Sequence, residues 1–241
     1  MARTYKDNEK RVNILRRTAK EVRTYKVRMK VLSCALVMLV LLSGMLYGVS
    51  ALYKKTGSFT VSIDKYEMTK YGLTLSESRE MTHKTSHLNA AISESITNMS
   101  GKSLPANIDM IDGVHNGPNH IAYTFYLQNA GEVEVSYNYQ LDISNISNDL
   151  DEAIRIRLYV DGTPTTYAKT KSDGTGPEDI PELTSEFYNQ SIVTHGRFDN
   201  FEPGETTKFT VVVWIEGNDP DCVDRLIGGE LRLEMNMSVV H

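Results

Sequence analysis

Residues 121–141 read IAYTFYLQNAGEVEVSYNYQL, and this stretch decides the fold class. Residues 121–128 are a β-branched and aromatic run, and Asn129-Ala130-Gly131 interrupt it. From 133 to 141 apolar and polar residues alternate, with Val133, Val135, Tyr137, Tyr139 and Leu141 on one face. Successive side chains of an extended chain point to opposite sides, so this period of two marks a strand with one buried face. Two such runs around a short Asn/Gly break read as neighbouring antiparallel strands.

Outward from this pair the same pattern recurs. Ile154–Val160 (IRIRLYV) alternates and ends at the turn dipeptide Asp161-Gly162, with 165–169 as its return strand. Residues 170–186 read as loop, with Asp173-Gly174, Pro177 and Pro181. A short strand is expected at 191–193, then a turn at Glu202-Pro203-Gly204-Glu205. The run 209–215 surrounds the only tryptophan, Trp214, and 230–240 alternates through Leu231, Leu233, Met235, Met237 and Val239. Upstream, 57–63 (GSFTVSI) alternates, as do Tyr71, Leu73 and Leu75. Residues 77–119 hold no aromatic residue and read as a loop-rich insertion with a short helix around 88–96. Short strands, frequent turns and almost no helix predict an all-β domain, an antiparallel two-sheet sandwich of jelly-roll or immunoglobulin-like topology. Trp214, Phe125, Phe209 and Tyr137 are its expected core.

Charge is unevenly distributed. Residues 1–30 carry eleven Lys or Arg against three Asp or Glu, leaving fifteen basic and twenty-eight acidic residues beyond them. Between the two regions, 31–53 (VLSCALVMLVLLSGMLYGVSALY) has no charged residue. As a helix it spans roughly 34 Å, enough for a bilayer core of about 30 Å. Arg23, Lys26, Arg28 and Lys30 outnumber Lys54 and Lys55, so the positive-inside rule places 1–30 in the cytoplasm and the rest outside. The expected organisation is a basic cytoplasmic tail (1–30), a transmembrane helix (31–53) and an extracytoplasmic domain (54–241). A cleaved signal peptide is the alternative, with Gly48-Val49-Ser50 at the cleavage position. Val12, Ile14, Leu15, Ala19 and Val22 also suit an amphipathic face on lipid headgroups. The bilayer is thus the first expected partner; a short basic arm beside a membrane does not suggest nucleic acid.

Four segments resemble the TasA/camelysin-like family of Gram-positive surface and matrix fibre proteins. They are the basic tail with its apolar segment, GSFTVSID at 57–64, and Phe125-Tyr126-Leu127-Gln128-Asn129-Ala130-Gly131. The fourth runs from Phe201-Glu202-Pro203-Gly204-Glu205 through Val213-Trp214-Ile215-Glu216-Gly217-Asn218-Asp219-Pro220-Asp221-Cys222 to Ile227-Gly228-Gly229-Glu230. The likeness lies mostly in 57–75 and 121–240. It implies a jelly-roll sandwich and assembly into extracellular fibres, in which an N-terminal strand completes a neighbour's sheet.

Candidate chemistry is sparse. Glu216, Asp219, Asp221 and Asp224 form an acidic cluster whose carboxylates are spaced to converge on Ca²⁺, although the pattern is not an EF-hand; a polar turn is the alternative. His83 and His87 would share a helix face and suit zinc, but Lys84-Thr85-Ser86 between them supply no glutamate base. Gly101-Lys102-Ser103 resembles the end of a phosphate loop, yet Ile96 stands where its first glycine belongs. No Gly-x-Ser-x-Gly element is present, so an enzyme is not expected, and apart from calcium no cofactor is. Cys34 and Cys222 fall in different compartments and cannot pair. Gly44 and Gly48 have the spacing that lets membrane helices approach closely. Asn98, Asn145, Asn189 and Asn236 open Asn-x-Ser sequons, which carry no meaning in a bacterium. The expected function is a membrane-anchored surface protein making adhesive, matrix or self-assembly contacts. A tethered ligand-binding sensor or accessory subunit, and a metal-dependent hydrolase, are the alternatives.

Overall fold

The computed structural model describes residues 22–47, 59–90 and 96–240. The chain divides into two compact units, Met1–Lys55 and Thr56–His241. In the first, Val22–Tyr47 is one helix, α1, long and apolar enough to cross a membrane. Its leucines, Leu32, Leu36, Leu39, Leu42 and Leu46 among them, are all exposed. A helix that is apolar all round is stable when lipid or protein surrounds it and costly in water. Residues 1–21 and 48–58 lie outside the described residues, and with them the expected amphipathic tail, the Gly48 position and the last residues of the predicted span.

Among the described residues the regular structure of the second unit is mostly strand. They are β1 (Phe59–Ile63), β2 (Leu73–Ser76), β3 (His87–Ala90), β4 (Gly113–Val114), β5 (His120–Asn129) and β6 (Val135–Ile146). These are followed by β7 (Ile154–Val160), β8 (Thr163–Ala168), β9 (Ser185–Glu186), β10 (Ile192–Phe201), β11 (Thr206–Ile215) and β12 (Leu231–Val239). One sheet has the order β10-β6-β12-β1-β3; the other runs β2-β5-β11-β7-β8-β9, with β4 also paired to β5.

The inner faces of the two sheets meet in one core. Alternation along β11 turns Phe209, Val211 and Val213 inward, and along β7 it turns in Ile154, Ile156 and Leu158. Aromatic rings bridge the sheets. Phe59 of β1 meets Tyr123 of β5 edge-on at 5.5 Å, and Tyr139 of β6 meets Phe209 of β11 at 5.4 Å. Phe209 in turn stacks on Phe125 at 5.4 Å. The buried Tyr137 hydroxyl of β6 donates to Thr207 Oγ1 of β11 at 2.9 Å, so this phenol is satisfied across the core. Burial pushes its pKa upward.

The expected strands are present, with five differences. The sheets are mixed rather than wholly antiparallel: β1 runs parallel to β12 (Phe59 beside Leu233, Ile63 beside Met237), and β8 runs parallel to β9. Only hairpin neighbours are forced to be antiparallel, and β1 and β12 are separated by almost the whole domain. A short helix, α2 (Lys65–Tyr71), was not expected. It starts where Asp64 accepts from the Tyr66 amide at 2.7 Å and stops at Gly72, whose φ of 78° suits a residue without a Cβ. Where a helix was expected around 88–96, residues 87–90 are the strand β3, and 91–95 lie outside the described residues. Strand β10 continues to Phe201 instead of ending at Val193, because bulges at Ile192/Thr194 and Phe198/Phe201 hide its alternation. Finally, Val133 precedes β6 and is exposed rather than facing the core.

Phe209 contacts rings from both sheets and is fully buried. Phe209→Ala is therefore expected to lower the stability of the full-length chain by about 3–5 kcal/mol, read as a lower urea midpoint with an unchanged slope.

Candidate functional site

The outer face of the seven-stranded sheet carries the chain's densest chemistry. Trp214 and Arg155 sit opposite each other in the β11–β7 register, and both point away from the main core. Trp214 is fully buried all the same. It forms a second cluster with Ala122 and Val212 beneath Ile108, joined by Met99, Leu104 and Tyr159. Trp214 is thus buried as expected, but by the 96–112 segment and not between the sheets. Gly101 explains how closely that segment lies: a Cβ there would come within 2.6 Å of the indole and 2.8 Å of Pro181. The Gly101-Lys102-Ser103 turn is a packing element against tryptophan, a role its lack of a side chain makes possible. On the same face the Arg157 guanidinium lies 5.2 Å from the indole centroid.

Burial leaves the indole N–H and the Arg155 guanidinium in need of acceptors, and the acidic loop supplies them. Glu216 is fully buried. Its Oε2 accepts from Trp214 Nε1 at 3.0 Å and from the Gly101 amide at 2.9 Å. Its Oε1 accepts from the Asn218 amide and side chain, each at 3.2 Å. Asp219 Oδ2 lies 2.6 Å from Arg155 Nη2 in an ion pair with both side chains almost completely buried. Asp219 Oδ1 accepts from the Asp221 amide at 2.8 Å. Arg155 also donates Nε to the Ile180 carbonyl at 2.9 Å, Nη1 to that of Ile154 at 3.1 Å and Nη2 to that of Glu178 at 3.3 Å. One guanidinium thereby fixes β7, the 178–181 loop and the acidic loop together.

The four carboxylates read as calcium ligands are arranged differently from that expectation. Glu216 and Asp219 turn inward and have protein donors on both oxygens, while Asp221 is half-buried and Asp224 exposed at the start of the Asp224–Leu226 turn. Among the described residues no group of three or more His, Cys, Asp or Glu is placed to hold a metal ion. His83 and His87 are exposed, on a loop and on β3, not on one helix face. Cys222 is half-buried against the core, and its Sγ accepts from Asn98 Nδ2 at 3.5 Å; Cys34 is exposed on α1.

A polar cleft of about 780 Å³ opens elsewhere on this sheet, lined by Arg79, Glu80, Asp109, Met110, Asp112, Tyr126, Asp161, Thr206 and Lys208. Most of its charges are already engaged. Lys208 Nζ donates to the Asp109 carbonyl at 2.7 Å and to its carboxylate at 3.1 Å. Asp112 accepts from the Tyr126 hydroxyl at 2.6 Å and from the Arg79 amide at 3.2 Å. Burial first, and then the Asp112 carboxylate, raise the Tyr126 pKa, so the phenol keeps its proton and continues to donate. Ser78 Oγ donates to Glu80 at 2.5 Å and holds that carboxyl below its ordinary pKa. Sequence reading missed this cleft because its residues come from five separate segments without a shared motif.

No protein-family model matches the chain, and no curated protein sequence does. Among solved structures, an α-xylosidase of family GH31 from Xanthomonas citri aligns over 47% of this chain and 8% of its own, at 13% identity and a TM-score of 0.22. A β-glucosidase from Kluyveromyces marxianus aligns over 68% of this chain and 17% of its own, at 11% identity and a TM-score of 0.24. The same enzyme with glucose gives 76%, 17%, 10% and 0.22. The chain spans less than a fifth of these enzymes' length, and likeness at this level carries no argument about fold or chemistry.

The buried pair gives a direct test. Asp219→Asn leaves the Arg155 charge without a counterion and is expected to cost about 3–5 kcal/mol, whereas Asp224→Asn should change stability by less than about 0.5 kcal/mol. In the same thermal melts, millimolar calcium is expected to leave the wild-type midpoint unmoved, because Glu216 and Asp219 are already occupied by protein donors and Asp221 and Asp224 do not converge with them.

Proposed function

We propose that this chain is a bacterial surface protein of TasA/camelysin-like type, non-enzymatic, held by α1 in the cell membrane with its N-terminus in the cytoplasm. In this reading the two sheets form a jelly-roll-like sandwich outside the cell. The sandwich makes adhesive, matrix or self-assembly contacts by adding a strand at an open edge. The observation that carries the proposal is β10. It is ten residues long and outermost in its sheet. The amides of Tyr188 and Asn189 cover only its first positions, through the carbonyls of Val193 and Ile192. Among the described residues, 194–199 make no further backbone hydrogen bond on the side away from β6. An unpaired row of backbone donors and acceptors is a template for another strand. The α1 helix and its flanking cations support the tether.

His195 and Asp199 project from β10 and are exposed. His195→Lys with Asp199→Lys, flanking Arg197, lines the edge with cations and opposes strand addition. Crosslinking of intact cells is expected to give ladders of multimers for the wild-type chain and monomer for the double variant, with melting midpoints alike. Wild-type monomer only, or a C-terminal domain shielded from protease added to intact cells, would overturn the proposal.

A further inference from the structure

A backbone carbonyl oxygen accepts hydrogen bonds and cannot donate, so a ring nitrogen that bonds to one must carry a proton. His115 faces two carbonyls. Its Nδ1 lies 2.8 Å from the Gly113 oxygen and its Nε2 2.7 Å from the Ile108 oxygen. A neutral imidazole has one N–H and would press the lone pair of its other nitrogen against a carbonyl; the imidazolium has two and satisfies both. We propose that His115 is a proton-operated latch: as imidazolium it clasps Ile108 and Gly113, and loss of its proton frees one of these contacts and loosens the 108–113 ribbon.

The ribbon joins the buried cluster to the cleft. Ile108 is packed over Trp214, Met110 lines the cleft, and Asp109 and Asp112 line it and hold Lys208, Tyr126 and the Arg79 amide. Opening the latch therefore reaches one wall of the cleft and leaves the inter-sheet core untouched. The charged and titratable groups of the packed elements include Asp109 and Asp112 on the ribbon itself, His120, Tyr123 and Tyr126 on β5, Lys208 on β11, and Glu77, Arg79 and Glu80 on the loop after β2. Asp109 and Asp112 already have partners, so neither is available as a counterion to the ring. His120 acts in the opposite sense: its pKa is lowered, first by burial and then by the charge on His115. Bonding to the charged form favours it, so the latch tightens as pH falls and is lost as pH rises. The contribution from His120 is present above about pH 6.5 and lost on acidification, because the unfolded imidazole then binds the proton more readily.

The test uses the full-length chain in lipid nanodiscs with nitrogen-15-labelled histidine rings, titrated between about pH 5 and pH 8, the interval in which imidazoles change charge. At the acid end of the titration both ring nitrogens of His115 are expected to carry protons, each held in its bond to a carbonyl. Amide exchange at Ile108 and Met110, normalised to Phe125, should quicken roughly tenfold once His115 loses its proton. His115→Gln should show no such step. Exchange at Ile108 and Met110 that does not follow the charge of the His115 ring overturns the proposal, as does a step of equal size in His115→Gln. Should that variant fail to fold, the ring and exchange measurements on the wild-type chain decide alone.

Discussion

Strand β11 is buried on both faces, and much of the domain's architecture follows from satisfying what it carries there. Its inward residues meet the opposite sheet, and its outward Val212 and Trp214 lie under the 96–112 segment. A polar group withdrawn from water on both sides must find a partner within the protein. Trp214 and its neighbour Arg155 together bring an indole N–H and a guanidinium to that face, and Glu216 and Asp219, just beyond the end of β11, supply the acceptors. Among the described residues no buried side-chain nitrogen or oxygen is left without a hydrogen bond. A buried ion pair of this kind is not evidence of extra stability over an apolar replacement. It does fix two loops relative to β7, because the Arg155 donors admit few arrangements.

The same requirement decides which acidic residues can act on anything outside the fold. Glu216 and Asp219 belong to the interior, while the cleft on β5 and β11 draws its carboxylates from other segments. In the cleft Asp109 pairs with Lys208, and Glu80, Asp112 and Asp161 accept from hydroxyls or amides, so most of its wall is ordered before any ligand arrives. The ribbon that forms one wall is held through backbone carbonyls, and the strength of that hold depends on the charge of a single imidazole.

The first and last strands of the domain lie side by side. β1 sits between β12 and β3, so this sheet closes only when strands from opposite ends of the domain have met. Contacts so distant in sequence make for slow folding, since loop-closure entropy is lost before the pairing compensates for it. They also place β1, the first described strand after α1 in the sequence, inside a sheet with a pairing partner on each side, and leave β10 as the long exposed edge.

Local pattern was enough to mark the membrane-length helix, most of the strands (β3, β4 and β9 lie in stretches read as loop), the turns at Asp161-Gly162 and Glu202–Glu205, and the burial of Phe125, Phe209, Tyr137 and Trp214. It was enough because period, length and turn chemistry are properties of neighbouring residues. Helix α2 is equally legible in the Asp64 and Gly72 that bound it. Tertiary structure alone decided the parallel run of β1 beside β12, the placing of Trp214 under an aromatic-free segment, the inward turn of Glu216 and Asp219, and the two carbonyls facing His115. Each depends on residues far apart in the chain arriving at one place. Sequence spacing fixes how far apart two side chains are along a strand or loop, but not which way they point or what they find there.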